Sequence, residues 1–156
     1  MKNQIEKMFN SIYEEYDFIN NIITFGLHKS WKKQIVTISK SLEPRRILDV
    51  ATGTADIAIA LTKISNCEII GMDLSSNMLK LGDKKIKELN LNKRIRLEIG
   101  DVENLKYGSN SFDVVTVGYG VRNFKDLKKS LDEMYRVLRE EGTLIILETS
   151  VPTNYI

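Results

Sequence analysis

The sequence predicts an α/β fold, a doubly wound and mostly parallel sheet. Three observations lead there. From Arg45 onward, short apolar runs alternate with segments of helical period. The runs are apolar throughout rather than at every second residue, as in strands covered on both faces. Three of them carry an aspartate at or just past their ends: Asp49, Asp73 and Asp101. A ligand of such a domain sits outside the carboxyl ends of the strands, where strand order reverses.

The elements follow in order. Ile5, Met8, Phe9, Ile12, Tyr13 and Tyr16 recur at helical spacing and predict an opening helix. An aromatic- and Asn-rich connector leads to a second helix from Lys29 to about Ser41, before Pro44. Ile47-Leu48-Asp49-Val50 is the first strand, and a helix runs from Asp56 to about Ile64. Glu68 to Met72 is the second strand. A helix from Ser75 to about Asn90 follows, with Ser75 placed to cap it. Arg94 to Ile99 is the third strand and Phe112 to Val117 the fourth. Lys125 to Arg139 is a helix with Leu127, Leu131, Met134, Tyr135 and Leu138 on one face. Glu141-Gly142 should end that helix, and Thr143 to Glu148 is a fifth strand.

Composition narrows the function classes. The 156 residues carry a formal charge of +2, too little to argue for a nucleic-acid partner. Lys84, Lys85, Lys87, Lys93, Arg94 and Arg96 cluster and read as a solvated helix face and turn. No apolar run approaches the ~18 residues of a membrane span, and the first residues lack the pattern of a signal peptide, so a cytoplasmic location is expected. Cys67 is the sole cysteine, set in an apolar stretch, and reads as a core residue. With one His and one Cys, no metal site is expected.

The loop after the first strand reads Asp49-Val50-Ala51-Thr52-Gly53-Thr54-Ala55-Asp56. Gly53 can take positive φ and admit a ligand to the backbone. The following helix would point its positive end at that ligand. Neither G-x-G-x-x-G nor GK[ST] is present, so the loop suits a small polar ligand better than a pyrophosphate. Asp73, about 20 residues on, is placed to accept hydrogen bonds from ribose hydroxyls. Asp101 could grip an adenine amino group while Val102 packs on the ring. Each aspartate alone also suits a buried or capping role; in order at strand ends they describe an adenosine pocket.

The ordered text D-V-A-T-G-T-A-D, G-M-D-L-S, G-D-V-E-N-L and S-F-D-V-V resembles the motifs of class I S-adenosylmethionine methyltransferases, a Rossmann-like fold. M-F-N-S-I-Y-E-E-Y-D-F-I-N, F-G-L-H-K-S-W-K-K, G-Y-G-V-R-N-F, E-M-Y-R-V-L-R and L-E-T-S-V-P are similar to the menaquinone/ubiquinone C-methyltransferase family over essentially the whole chain. The resemblance implies S-adenosyl-L-methionine as cofactor, contacted by Thr54, Asp73, Asp101 and Val102, with Asp49 and Gly53 shaping the first loop. It implies a demethylmenaquinol or related prenylated quinol as substrate, with Arg122 and Asn123 working near it. Arg122 would stabilise a phenolate; a water, Tyr119 or His28 would take the proton. Residues 1–44 would form a helical substrate lid bearing Phe9, Tyr13, Tyr16 and Phe25, and residues 45–156 the cofactor domain.

Two departures from the family are visible. Ala55 stands where T-G-D is usual, so its methyl is expected to crowd the cofactor or restrict the turn. The family also continues past L-E-T-S-V-P with two further strands. A truncated or fragmentary chain is therefore expected, with poor turnover, an open fifth-strand edge and homo-oligomer formation. The prenyl tail implies transient contact with the inner face of the membrane, with Lys29, Trp31, Lys32 and Lys33 as the patch. Competing readings are a class I methyltransferase for another small molecule, a cofactor-binding module without turnover, and, more distantly, an NAD-binding domain.

Overall fold

The computed structural model describes residues 27–148, with side chains from residue 29 onward. The opening helix predicted over Ile5–Tyr16, Phe25, the His28 side chain and the stretch from Thr149 lie outside the described residues. The elements are α1 (Leu27–Ser41), β1 (Arg46–Val50), α2 (Asp56–Leu61), β2 (Glu68–Asp73), α3 (Ser76–Glu88), β3 (Ile95–Ile99), β4 (Phe112–Gly118), α4 (Leu127–Val137) and β5 (Leu138–Leu147). Two short 3-10 turns, Val102–Asn104 and Val121–Asn123, follow β3 and β4.

The strands form one sheet in the order β3-β2-β1-β4-β5, and every pairing is parallel. The order reverses between β1 and β4, so the crevice lies at their carboxyl ends. Alternation along each strand explains the continuous apolar runs. Ile47, Ile69 and Val114 enter a core with Ile35 and Val36 of α1 and Ile57 and Leu61 of α2. Leu48, Val50, Ile70, Met72, Val115 and Val117 enter the opposite core with Met134 and Val137 of α4.

Residues 27–44 are therefore not a separate layer from the rest. Ile35 and Val36 are buried in the same core as β1, so the division expected at residue 44 does not coincide with a break in packing. Trp31 is half-buried, its ring tilted at 46° and 6.2 Å from that of Tyr119 at the end of β4. The basic patch expected on this helix thus loses its aromatic member to an internal contact.

The junction of α4 and β5 also departs from expectation. The helix stops at Val137, and Leu138 already pairs with Phe112. The next pairing is Val114 with Thr143, so residues 139–142 bulge out of the ladder. Glu141 takes φ 64°, and a Cβ at Gly142 would stand 2.8 Å from the Arg139 carbonyl oxygen. Glu141-Gly142 marks a bulge inside the strand, not the end of the helix. Helix α2 is likewise shorter than predicted, ending at Leu61 with Thr62 as its cap.

The basic cluster of 84–96 divides. Lys87 pairs with Asp83 on the exposed face of α3, and Arg96 with Glu98 and Glu68. Arg94 instead reaches inward to the carbonyls of Thr62 and Ile64, and Lys85 turns toward the first loop. Cys67 is buried in the core, and that burial pushes its thiol up to about 11, far from a nucleophile's range.

Candidate cofactor site at the carboxyl ends of the strands

The loop leaving β1 is built around a buried carboxylate. Asp49 Oδ1 accepts the Thr116 hydroxyl and Oδ2 the Thr52 hydroxyl, both at 2.6 Å. The Thr52 N–H donates to the Met72 carbonyl at 3.0 Å. One side chain thereby ties β1, β4 and the returning loop together. Burial pushes Asp49 up to about 6; the two threonine hydroxyls act the other way, and Asp73 and Asp56 add to the rise. Asp49 acts within the scaffold of the loop, and its side chain is 1% exposed in sum with its backbone.

The loop itself runs through left-handed backbone at alternate residues: Ala51 (φ 53°), Gly53 (φ 58°) and Ala55 (φ 69°). Gly53 takes this conformation without penalty, whereas a residue with a Cβ is strained there. The Gly53 N–H donates to Asp73 Oδ2 at 2.8 Å, and the Ser75 N–H donates to Asp73 Oδ1 at 2.8 Å. The glycine amide is thus engaged with Asp73, not turned outward. A carboxylate has about four acceptor sites, so these two bonds fix its orientation without exhausting its capacity. Asp73 is half-buried at the end of β2, beside the crevice.

Asp101 caps the 3-10 turn after β3, its Oδ1 accepting the Glu103 N–H at 3.0 Å. The Gly100 N–H donates to the Asp73 carbonyl at 3.0 Å, which joins the ends of β2 and β3. Val102 is buried in the second core with Phe112 and Met134, so its side chain offers a ligand ring little surface. That departs from the expectation that Val102 packs on the ring. Helix α4 braces the same loop from behind: Glu133 accepts the Leu105 N–H, and Arg136 donates to the carbonyls of Leu105 and Tyr107.

Arg122 and Asn123 lie on the 3-10 turn after β4, at the same end of the sheet as Asp73. Arg122 is exposed, with Nε 3.8 Å from Glu148 Oε1. Asn123 N–H donates to the Gly120 carbonyl at 3.0 Å. Tyr119 takes φ 58° and is buried, its ring beside that of Trp31.

Thr54 is buried, and its hydroxyl accepts from Lys85 Nζ at 2.8 Å. The same ammonium lies 2.8 Å from Asp56 Oδ1. Sequence reasoning placed Lys85 on a solvated face and missed it. Met78, Gly82 and Lys85 recur at i, i+4 and i+7, so a lysine on the inward face of α3 was the available signal. The Ala55 methyl does not crowd a ligand: Ala55 is fully buried, and a Cβ at Gly82 would meet the Ala55 Cβ at 3.2 Å, so the methyl faces α3. The restriction of the turn is real; the crowding is not.

The donor set fits an adenosyl ligand: a fixed, half-exposed carboxylate for hydroxyl groups, and a loop with too few glycines for a pyrophosphate. No group of three or more His, Cys, Asp or Glu that could hold a metal ion occurs among the described residues. The parallel sheet with its reversal at β1/β4 and acidic residues along its carboxyl edge is the architecture of the class I S-adenosylmethionine-dependent methyltransferases. It superposes on the YcgJ protein from Bacillus subtilis with a TM-score of 0.71 at 25% identity, covering 75% of this chain and 49% of that one. A SAM-dependent methyltransferase from Aquifex aeolicus shares the fold with a TM-score of 0.57 at 21% identity, covering 61% of this chain and 51% of that one.

Within that class the chain belongs to the ubiE/COQ5 methyltransferase family, whose model matches residues 1–156. It is 40% identical over 153 residues to the demethylmenaquinone methyltransferase of Bacteroides fragilis, covering 97% of this chain and 62% of the relative. It is 44% identical over 154 residues to that of Staphylococcus haemolyticus, covering 97% of this chain and 63% of the relative. The ubiquinone/menaquinone biosynthesis C-methyltransferase UbiE of Geotalea daltonii is 40% identical over 151 residues, with 96% and 64% covered. The chain thus spans less than two thirds of the length of these relatives. Family and fold neighbours imply use of S-adenosylmethionine. No helix among the described residues is long and apolar enough to cross a membrane.

Proposed function

We propose that the protein serves S-adenosylmethionine-dependent C-methylation of a demethylmenaquinol or a related prenylated quinol in respiratory quinone biosynthesis. The observation that carries the reading is Asp73, fixed by two backbone N–H groups at the β1/β4 crevice, in a chain 40–44% identical to demethylmenaquinone methyltransferases. Asp73 would hold the ribose hydroxyls, Asp101 the adenine end, and the Gly53 carbonyl the amino-acid end. Asp49 keeps the loop in shape from below. The cofactor, when bound, supplies an electrophilic methyl group on a sulfonium. The protein's part is alignment and electrostatics. The Arg122 guanidinium would stabilise a quinol oxyanion, with Asn123 beside it. A water, Tyr119 or His28 would accept the proton.

The same reading places the protein at the inner face of the membrane, in transient contact through Lys29, Lys32 and Lys33, with self-association along β5. The test is titration calorimetry with S-adenosylmethionine and with NAD, followed by methyl transfer to a short-chain demethylmenaquinol. Saturable binding of S-adenosylmethionine but not NAD, abolished by Asp73→Ala, is expected. Binding unaffected by Asp73→Ala in a folded protein would overturn the site. Binding without methyl transfer would favour a cofactor-binding module.

A further inference from the structure

Ala55 is held in left-handed backbone, at φ 69° and ψ 23°, as the N-terminal cap of α2, with no side-chain hydrogen bond capping that helix. The conformation disfavours any residue with a Cβ by a factor of about five to thirty. Its own N–H and carbonyl are bonded to Thr52 and Ile59, and contacts from α3 add to that hold. The two neighbours of Ala55 are gripped by one cation. Lys85 Nζ donates to Thr54 Oγ1 on one side and to Asp56 Oδ1 on the other, each at 2.8 Å. The Lys85 and Asp56 side chains are only 25% and 31% exposed, so water competes weakly for this contact.

The grip comes from a helix already pressed on the turn. A Cβ at Gly82 would lie 3.1 Å from the Thr54 carbonyl carbon and oxygen, so α3 touches the backbone one residue before Ala55. Gly82 and Lys85 are i and i+3 on one face of α3. Glycine lets the helix in, and the lysine three residues on closes over the turn. The Ala55 N–H, in turn, donates to the Thr52 carbonyl at 2.9 Å, and Thr52 is bound to Asp49. The strained residue thus lies between an anchor below and a cation above.

We infer that Lys85 is a positioning residue: it latches the 51–56 loop and keeps a left-handed alanine in the shape that presents Gly53 to the cofactor. The latch is a property of the fold itself. Its effect on cofactor affinity rests on the function proposed above.

Four proteins test it: the parent, Lys85→Met, Ala55→Gly and the double substitution, with Lys85→Arg as a fifth. The first readout is amide hydrogen exchange at Gly53 and Ala55, compared with amides of α4. Lys85→Met should speed exchange at these two amides about tenfold or more in the parent, without moving α4. On the Ala55→Gly background the same substitution should change exchange by less than about threefold, because glycine has no left-handed penalty to hold down. Lys85→Arg should retain most of the protection. Affinity for S-adenosylmethionine by calorimetry should follow the same pattern, lost in Lys85→Met and recovered in the double substitution. Equal acceleration on both backgrounds, or none on either, would overturn the latch. If exchange shows the expected coupling while none of the five proteins binds S-adenosylmethionine, the latch stands and the proposed cofactor falls.

Discussion

At the amino end of the sheet, the Asp113 carboxylate accepts the N–H groups of Arg45 and Arg46 at 2.9 Å and pairs with Arg139 at 2.8 Å. At the carboxyl end, the Asp49 carboxylate has two threonine hydroxyls and feels Asp73 and Asp56. The two aspartates move in opposite directions. Burial works against Asp113, but the two N–H groups and Arg139 hold it below the usual carboxylate range. Burial pushes Asp49 up to about 6. The backbone shows the same contrast. Positive φ at the amino end falls on Asn66, Asn90 and Asn110 before β2, β3 and β4, residues that tolerate it, but also on Glu43 before β1 and Glu141 in the β5 bulge. At the other end it falls on Ala51, Ala55 and Tyr119, which do not tolerate it. The amino end compensates its half-buried carboxylate with donors and a cation, and the carboxyl end concentrates an uncompensated carboxylate and three left-handed residues of one loop where a ligand would dock.

The largest expected effect is at the amino end. Phe112 is fully buried, edge-on to Tyr107 at 5.1 Å and under the Arg46 guanidinium at 4.7 Å. Phe112→Ala should lower stability by about 3–5 kcal/mol in urea unfolding. Whatever fraction remains folded should bind S-adenosylmethionine with parental affinity; a weakened site would mean that the two ends are coupled.

At the carboxyl end, removing charge should help. Asp49 binds its proton more tightly folded than unfolded, so its contribution to stability declines as pH rises from the ordinary carboxyl value of 3.8 to about 6 and is level above. Asp49→Asn should therefore gain up to about 3 kcal/mol at pH 8, with the gain shrinking toward zero near pH 4. A loss of stability at pH 8 in chemical denaturation would show that the charge is stabilising and erase the contrast.

Asp73→Ala should split function from stability. Affinity for S-adenosylmethionine should fall by about 1.5–3 kcal/mol, the worth of a charged acceptor. The melting temperature should move much less than it does in Phe112→Ala, because Asp73 is half-buried and meets solvent. Smallest of the four, Ala55→Gly should stabilise the chain by about 0.5–1 kcal/mol. Relief of left-handed strain outweighs the extra entropy of an unfolded glycine. Destabilisation in the same denaturation assay would show that the methyl packed against Gly82 matters more than the turn.

Much of this was legible in the sequence, for identifiable reasons. The strands were readable because both faces of β1, β2 and β4 are covered, which leaves unbroken apolar text. Asp73 was readable because strand-end position follows from the strand itself. The bulge of β5 was not: Leu138 continues the helical stripe of α4, and only its pairing with Phe112 takes it into the sheet. Val102 was placed beside the ligand because it follows Asp101, but the 3-10 turn rotates it into the core. Lys85 was hidden among five other basic residues, and the side of the turn that Ala55 faces is set by the approach of α3. Sequence spacing locates residues along an element; packing between elements decides which way they face.

The parallel pairing of all five strands has a kinetic consequence. Parallel neighbours cannot be joined by a hairpin, so none of these pairings forms between adjacent residues in the chain. Gly53 finds Asp73 20 residues later, but Asp49 waits 67 residues for the Thr116 hydroxyl. Closing such long loops slows folding and makes it cooperative. During synthesis the first loop emerges from the ribosome well before β4 can be laid beside β1. A nascent chain halted between the two carries the whole text of the loop but not the strand that anchors its aspartate, so ligand binding there would report that β4 has joined β1.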